Sequence, residues 1–202
     1  MIKEACVESL IDALEAEKRR ADRIELCDNL SQGGTTPSYG TIKVALSTLK
    51  IPVFPIIRPR GGDFYYTPDE IEVIKEDIKV CKSLGAKGVV LGLLTKDKKI
   101  DFEVLSQLVE LAKPMEVTFH KAIDELEDPT LVIDELINIG VKRILSSGTK
   151  PTALEGKDML NKMIEKAGDR LTIVVAGKVT KEILPEVSNL IPAKEYHGKV
   201  IV

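Results

Sequence analysis

The chain has 202 residues, with 29 Lys and Arg against 32 Asp and Glu, a net charge of -3. That length suits one domain with a sizeable core, and the interspersed charges exclude an extended nucleic-acid or polybasic membrane surface. No run of about 18 apolar residues is present, residues 1–6 carry no secretory pattern, and Cys6, Cys27 and Cys81 lack disulfide-rich spacing, so a cytoplasmic protein with no nucleic-acid and no membrane partner is expected.

Strand and helix signals alternate along the chain. Residues 3–7 read as a first strand, and Ser9 caps a helix with Asp12 at its third position and Leu10, Ala13 and Leu14 on its apolar face. Residues 22–27 form a second strand, followed by a Gly-Gly loop over 32–35 and a helix over about 38–49. The apolar run 51–57 is too short for a helix and lies between proline and glycine punctuation, which reads as a buried parallel strand. It runs into Arg58-Pro59-Arg60-Gly61-Gly62-Asp63, a loop that burying a strand does not require.

Thr67-Pro68-Asp69-Glu70 is a nearly complete helix start, with Thr67 as cap, Pro68 in the first turn and Glu70 closing a capping box; Gly85 stops that helix. Strands follow over 86–91, 115–119, 141–145, 171–175 and 194–196. Helices are predicted over 101–112, from Asp128-Pro129 to Gly140, from about 154 or 156 to 167, and from Thr180 to about 189. Eight strands and seven helices at this spacing, without a GxGxxG after the first strand, predict an α/β fold: a TIM-type (β/α)8 barrel lacking the usual C-terminal outer helix. The gap beside strand eight suggests a homodimer or higher homo-oligomer.

In such a barrel the residues past each strand's C-terminal end meet at one rim. This gathers Glu8, Cys27, Asp28, Arg58, Arg60, Asp63, His120, Lys121, Asp124, Ser146, Ser147, Gly177, Lys178 and His197. Arg58 and Arg60 offer two guanidinium forks suited to a small anionic ligand, carboxylate or phosphate; alternatively they pair internally with Glu25, Asp63 or Glu4. Ser147 and Gly148 add small-residue backbone donors to that candidate anion site. For acid–base chemistry the candidates are His120 as proton carrier and Asp124 or Glu25 as the second carboxylate. Cys6 and Cys27 lie on adjacent strands with like orientation; they form a soft site favouring Cu(I), or they are small buried hydrophobes.

Several stretches carry a resemblance. Cys6-Val7-Glu8-Ser9, Ala21-Asp22-Arg23-Ile24-Glu25-Leu26-Cys27, Gly33-Gly34-Thr35-Thr36-Pro37-Ser38, Ile57-Arg58-Pro59-Arg60-Gly61-Gly62-Asp63-Phe64, Val117-Thr118-Phe119-His120 and Ser147-Gly148 look like the CutC family, named for copper homeostasis. The resemblance implies a cytoplasmic TIM-type barrel, commonly oligomeric, whose Cu(I)-binding cysteines fall on Cys6 and Cys27. It also implies a polar mouth built from Glu8, Glu25, Arg58, Arg60, Asp63 and His120. The chain departs from the family pattern at Lys121, where arginine is usual, in the short Ala176-Gly177-Lys178-Val179 loop, and in Lys199-Val200-Ile201-Val202 after His197-Gly198. The resulting expectation is a copper homeostasis protein that binds Cu(I). The alternatives are a barrel enzyme acting on a small anionic or phosphorylated metabolite, and an interaction protein without turnover.

Overall fold

Parallel pairing runs through every strand of a computed structural model that describes residues 1–202. The strands are β1 (Ile2–Val7), β2 (Arg23–Leu26), β3 (Val53–Pro55), β4 (Gly88–Leu91), β5 (Glu116–Phe119), β6 (Arg143–Ser146), β7 (Thr172–Val175) and β8 (Glu195–Gly198). Their spatial order is β3-β2-β1-β8-β7-β6-β5-β4. The remaining seam, between β3 and β4, is closed by a parallel bridge from Ile56 to Val90 and by the Ile57 N–H donating to the Val90 carbonyl at 2.7 Å. Eight parallel strands closed in this way, with helices outside, make a TIM-type barrel.

The helices are α1 (Leu10–Lys18), α2 (Tyr39–Thr48), α3 (Pro68–Ser83), α4 (Phe102–Ala112), α5 (Ile133–Ile139), α6 (Lys157–Ala167) and α7 (Leu184–Leu190). Local chemistry sets several of their starts. Ser9, Ser38 and Asp101 each accept a backbone N–H from the first turn, and Thr67 with Glu70 forms the full reciprocal capping box. In α4 the residues Leu105, Leu108, Val109 and Ala112 repeat at helical spacing and are all buried. Each fully buried leucine there contributes about 1.5–3 kcal/mol relative to exposure.

Three expectations about elements change. The fifth helix begins as a 3-10 turn at Pro129–Val132 before α5, and Thr180 does not open a helix. Instead Thr180 bridges to Val200, and α7 starts four residues later with Pro185 in its first turn. β8 continues through His197 and Gly198, so His197 is a strand residue rather than one beyond the strand end. After β8, Ile201 is buried in the outer core and residues 199–202 form no helix.

Alternation along the strands divides the interior in two. Ala5, Val7, Ile24, Leu26, Val89, Leu91, Ile144, Ile173 and Tyr196 belong to the main apolar layer between strands and helices. Their neighbours face the barrel axis: Cys6, Cys27, Phe54, Ile56 and Val90 cluster on one side, and Leu145, Val174 and Ala176 on the other. The charged residues Glu4, Arg23, Glu25 and Glu195 are buried among these inward positions.

Candidate metal centre

A charged column rises along the barrel axis. At its base Arg23 pairs with both Glu4 and Glu195, and Arg143 pairs with Glu195 at 3.1 Å and with Glu116 at 2.5 Å. Both guanidinium groups lie over the Phe54 ring, at 5.2 and 5.4 Å from its centroid. Phe54 fits because β4 carries Gly88 opposite it; a Cβ there would come within 2.5 Å of the ring. The acidic interior is thus matched by Arg23 and Arg143 rather than by Arg58 and Arg60. The sequence reading missed Arg23, whose place two residues before Glu25 puts it on the same inward face of β2.

Above this base, His197 bridges two carboxylates, with Nδ1 2.8 Å from Glu4 and Nε2 3.5 Å from Glu25. The thiols come next. Cys6 Sγ and Cys27 Sγ are 3.8 Å apart, and one ligand atom each from Cys6, Glu25 and Cys27 lie within 4.8 Å of one another. Register explains the convergence. Cys6 pairs directly with Glu25 across β1 and β2, which places Cys27 one inward step further up β2.

The electrostatics favour one thiolate. The hydrogen bond from Cys27 holds Cys6 well below the usual thiol range, and the adjacent His197 cation reinforces this against burial. Cys27 is correspondingly raised, first by its hydrogen bond to Cys6 and then by burial. Burial, followed by the nearby Cys6 charge, lifts Glu25 well above the ordinary carboxyl range. For His197 burial opposes the charge, but Glu25, Cys6 and Glu4 outweigh it and raise the imidazole well above 6.5. Glu4 remains ionised, lowered to about 2 because His197 and Arg23 overcome its burial.

The two thiols would suit a soft metal ion, and the Glu25 carboxyl beside them is a harder oxygen donor. Cys6 and Cys27, with their sulfurs 3.8 Å apart, would hold such an ion, and the Glu25 carboxyl is the neighbouring group that would add a third donor. The donors border a cavity of about 170 Å³ whose lining also includes Arg58, His120, Lys121 and Lys199.

The other predicted site residues are distributed differently. Arg58 reaches the cavity wall, but its Nη1 donates to the carbonyls of Gln32 (3.0 Å) and Gly34 (2.9 Å), and its Nη2 to that of Gly62 (2.6 Å). It clasps the loops after β2 and β3 together. Gly33 and Gly34 make the clasp feasible with φ of +87° and +90°. Arg60 points elsewhere, to Glu70 at 2.5 Å, Asp63 at 3.1 Å and the Tyr65 carbonyl at 2.7 Å. Arg60 and Asp63 therefore form a half-exposed loop brace outside the cavity lining.

Asp124 fastens the loop after β6. It accepts from Ser146 Oγ (2.5 Å), the Ser147 N–H and hydroxyl (each 3.0 Å), the Thr149 N–H (3.0 Å) and Lys121 (2.9 Å). The Gly148 N–H is taken by Ser146 Oγ at 2.9 Å. Ser147 and Asp124 thus satisfy each other, Gly148 is held by Ser146, none of Ser147, Gly148 and Asp124 lines the cavity, and Asp124 makes no hydrogen bond to His120. Glu8 stays at the exposed rim and accepts the Leu30 N–H at 2.7 Å. Cys81 is buried in α3 packing, where burial pushes its thiol up to about 12.

Comparison with known proteins bears on this geometry. The sequence profile of the CutC family matches residues 1–202. The chain belongs to the CutC family. It is 44% identical over 196 residues to the human copper homeostasis protein cutC homolog, covering 97% of this chain and 72% of that protein. A CutC family protein from Chromobacterium violaceum is 47% identical over 173 residues, covering 86% of this chain and 70% of that protein. The crystal structure of the copper homeostasis protein CutC from Streptococcus agalactiae superposes with a TM-score of 0.95 at 37% identity, covering all of both chains. A deoxyribose-phosphate aldolase from Coccidioides immitis matches with a TM-score of 0.71 at 12% identity, over 98% of this chain and 81% of that one. That likeness is one of barrel fold alone.

Proposed function

We propose that this CutC protein binds Cu(I) through Cys6 and Cys27 and serves copper homeostasis in the cytoplasm. The observation that carries the reading is the 3.8 Å approach of the two buried thiols, with the Glu25 carboxyl in the same cluster. Thiolate donors select Cu(I) over hard ions such as Mg²⁺ and Ca²⁺. His197 supports the site indirectly by stabilising the Cys6 thiolate. The names of the human and streptococcal relatives point the same way.

The test is an anaerobic Cu(I) titration of the reduced protein against a competing chelator, in parallel with Cys6→Ser/Cys27→Ser. Stoichiometric binding that disappears in the double variant is expected. Binding that survives both substitutions would remove the site assignment.

We also propose self-association, as a homodimer or higher homo-oligomer. A groove of about 300 Å³ runs between α1 and the residues after β8, and Ala16, Leu30, Val200 and Val202 supply much of its apolar wall. Val200 is 56% exposed beside it.

A further inference from the structure

His120 presents a hydrogen-bond donor that nothing in the protein accepts. Its Nδ1 accepts the Ala122 N–H at 3.2 Å, which leaves the proton of the neutral ring on Nε2. Nε2 is buried and has no partner. Burial, and secondarily the Arg58 cation, hold this imidazole down to about 3, so the ring is neutral at ordinary pH. Native proteins rarely leave such a donor unpaired.

The ring is also held in place. Phe64 packs against it with centroids 4.9 Å apart, and Gly92 directly follows β4, where a Cβ would lie 2.5 Å from Nδ1. The donor therefore cannot swing away to find a partner without disturbing its neighbours. Its side chain lines the same cavity as the thiol pair.

The cavity has the charge and shape for an anion with an apolar portion. Glu25 is its one acidic lining residue, against Arg58, Lys121, Lys199 and His197. Ile56, Leu145 and Leu30 supply apolar wall. Lys199 is exposed at the mouth and makes no ion pair, whereas Lys121 already holds Asp124 and Ser147. A cavity of about 150 Å³ accommodates a molecule the size of benzene, so about 170 Å³ suits roughly six non-hydrogen atoms.

We propose that this cavity binds a small monocarboxylate, which on entry opens the packing over the buried Nε2 so that its carboxylate accepts the His120 Nε2–H and faces Lys199, while its short alkyl portion lies against Ile56 and Leu145. One spare neutral donor at depth, beside apolar walls, suits a carboxylate better than a phosphate, whose greater charge calls for several charged donors. The site stands on His120 and Lys199, and its existence does not require copper at Cys6 and Cys27.

The test is a titration of reduced, metal-free protein with sodium butyrate and, separately, inorganic phosphate. Imidazole ¹⁵N–¹H NMR follows the His120 Nε2–H, and calorimetry measures affinity in wild type, His120→Phe, Lys199→Gln and Cys6→Ser/Cys27→Ser. Butyrate is expected to saturate and to shift the Nε2–H resonance in wild type and in the double-serine variant. Its affinity is expected to fall about tenfold in His120→Phe and about threefold in Lys199→Gln. A shift that never saturates, affinity unchanged in both single variants, or saturation by phosphate alone would overturn the proposal. Lys199→Gln alters an exposed side chain and keeps the test decisive if His120→Phe fails to fold. The double-serine arm separates this result from the outcome for copper.

Discussion

His197 Nδ1 lies 2.8 Å from Oε1 of Glu4, and the two residues are direct register partners across β1 and β8. The contact joins the first and last strands of the barrel and continues through Arg23 to Glu195. Removing one member of a buried charge-paired group leaves the others uncompensated, typically at 3–5 kcal/mol. His197→Ala is therefore expected to lose about 3 kcal/mol in urea unfolding, with weaker Cu(I) binding as the Cys6 thiolate loses its cation. A loss below about 1 kcal/mol would show that the column contributes little beyond packing.

Acid sensitivity should follow His120. Its folded pKa of about 3 lies below the ordinary 6.5. Between those values the unfolded chain takes up a proton that the folded protein refuses, so stability falls as pH drops from 6.5 toward 3. The contribution is complete above 6.5, and its slope approaches ~1.4 kcal/mol per pH unit. Glu4, lowered from 4.5 to about 2, adds a loss of the same sign as pH falls below 4.5. His197, raised above 6.5, contributes with the opposite sign in both proteins, so urea unfolding of wild type and His120→Phe at pH 7.5, 6.0 and 5.0 should show a smaller loss, or a larger gain, of stability on acidification in the variant. Parallel curves would contradict the assignment of this term to His120.

Much of the architecture was readable because the relevant signals are local. The Thr67–Glu70 capping box, the α4 apolar stripe and the eightfold spacing of strands each involve residues close in sequence. Cys6 and Cys27 could be paired for the same reason, since adjacent parallel strands share one alternation. The partners of the interior carboxylates were harder to read. Arg143 reaches Glu195 from two strands away because of the barrel's stagger, which a linear pattern does not display. Arg58 and Arg60 read as ligand forks because their donors are visible in sequence while the carbonyls that consume them are not. His197 read as a rim residue because its strand looked complete at Tyr196. The spare Nε2–H of His120 follows only from the Ala122 contact and the ring's burial.

Gly92 provides a steric test of how His120 is held. A methyl group there would sit 2.5 Å from Nδ1, so Gly92→Ala must displace the ring or the strand. Overpacking of this kind costs about 1–3 kcal/mol. Thermal or urea unfolding should register that loss, and the His120 imidazole NMR signals should move. A variant as stable as wild type with unshifted signals would contradict the packing described.

Self-association is checked by sedimentation velocity at micromolar concentration. A species of at least dimer mass is expected, and Val200→Asp, which places a charge beside the apolar groove, should shift it toward monomer. A monomer across the concentration range would refute oligomer formation.

The most direct test of copper at the thiol pair is X-ray absorption at the copper K-edge on anaerobically Cu(I)-loaded protein, with Cys6→Ser/Cys27→Ser measured alongside. Two sulfur scatterers in the wild-type first shell, both lost in the variant, are the predicted result. A wild-type shell of nitrogen and oxygen donors alone, or one unchanged by the substitutions, would contradict it.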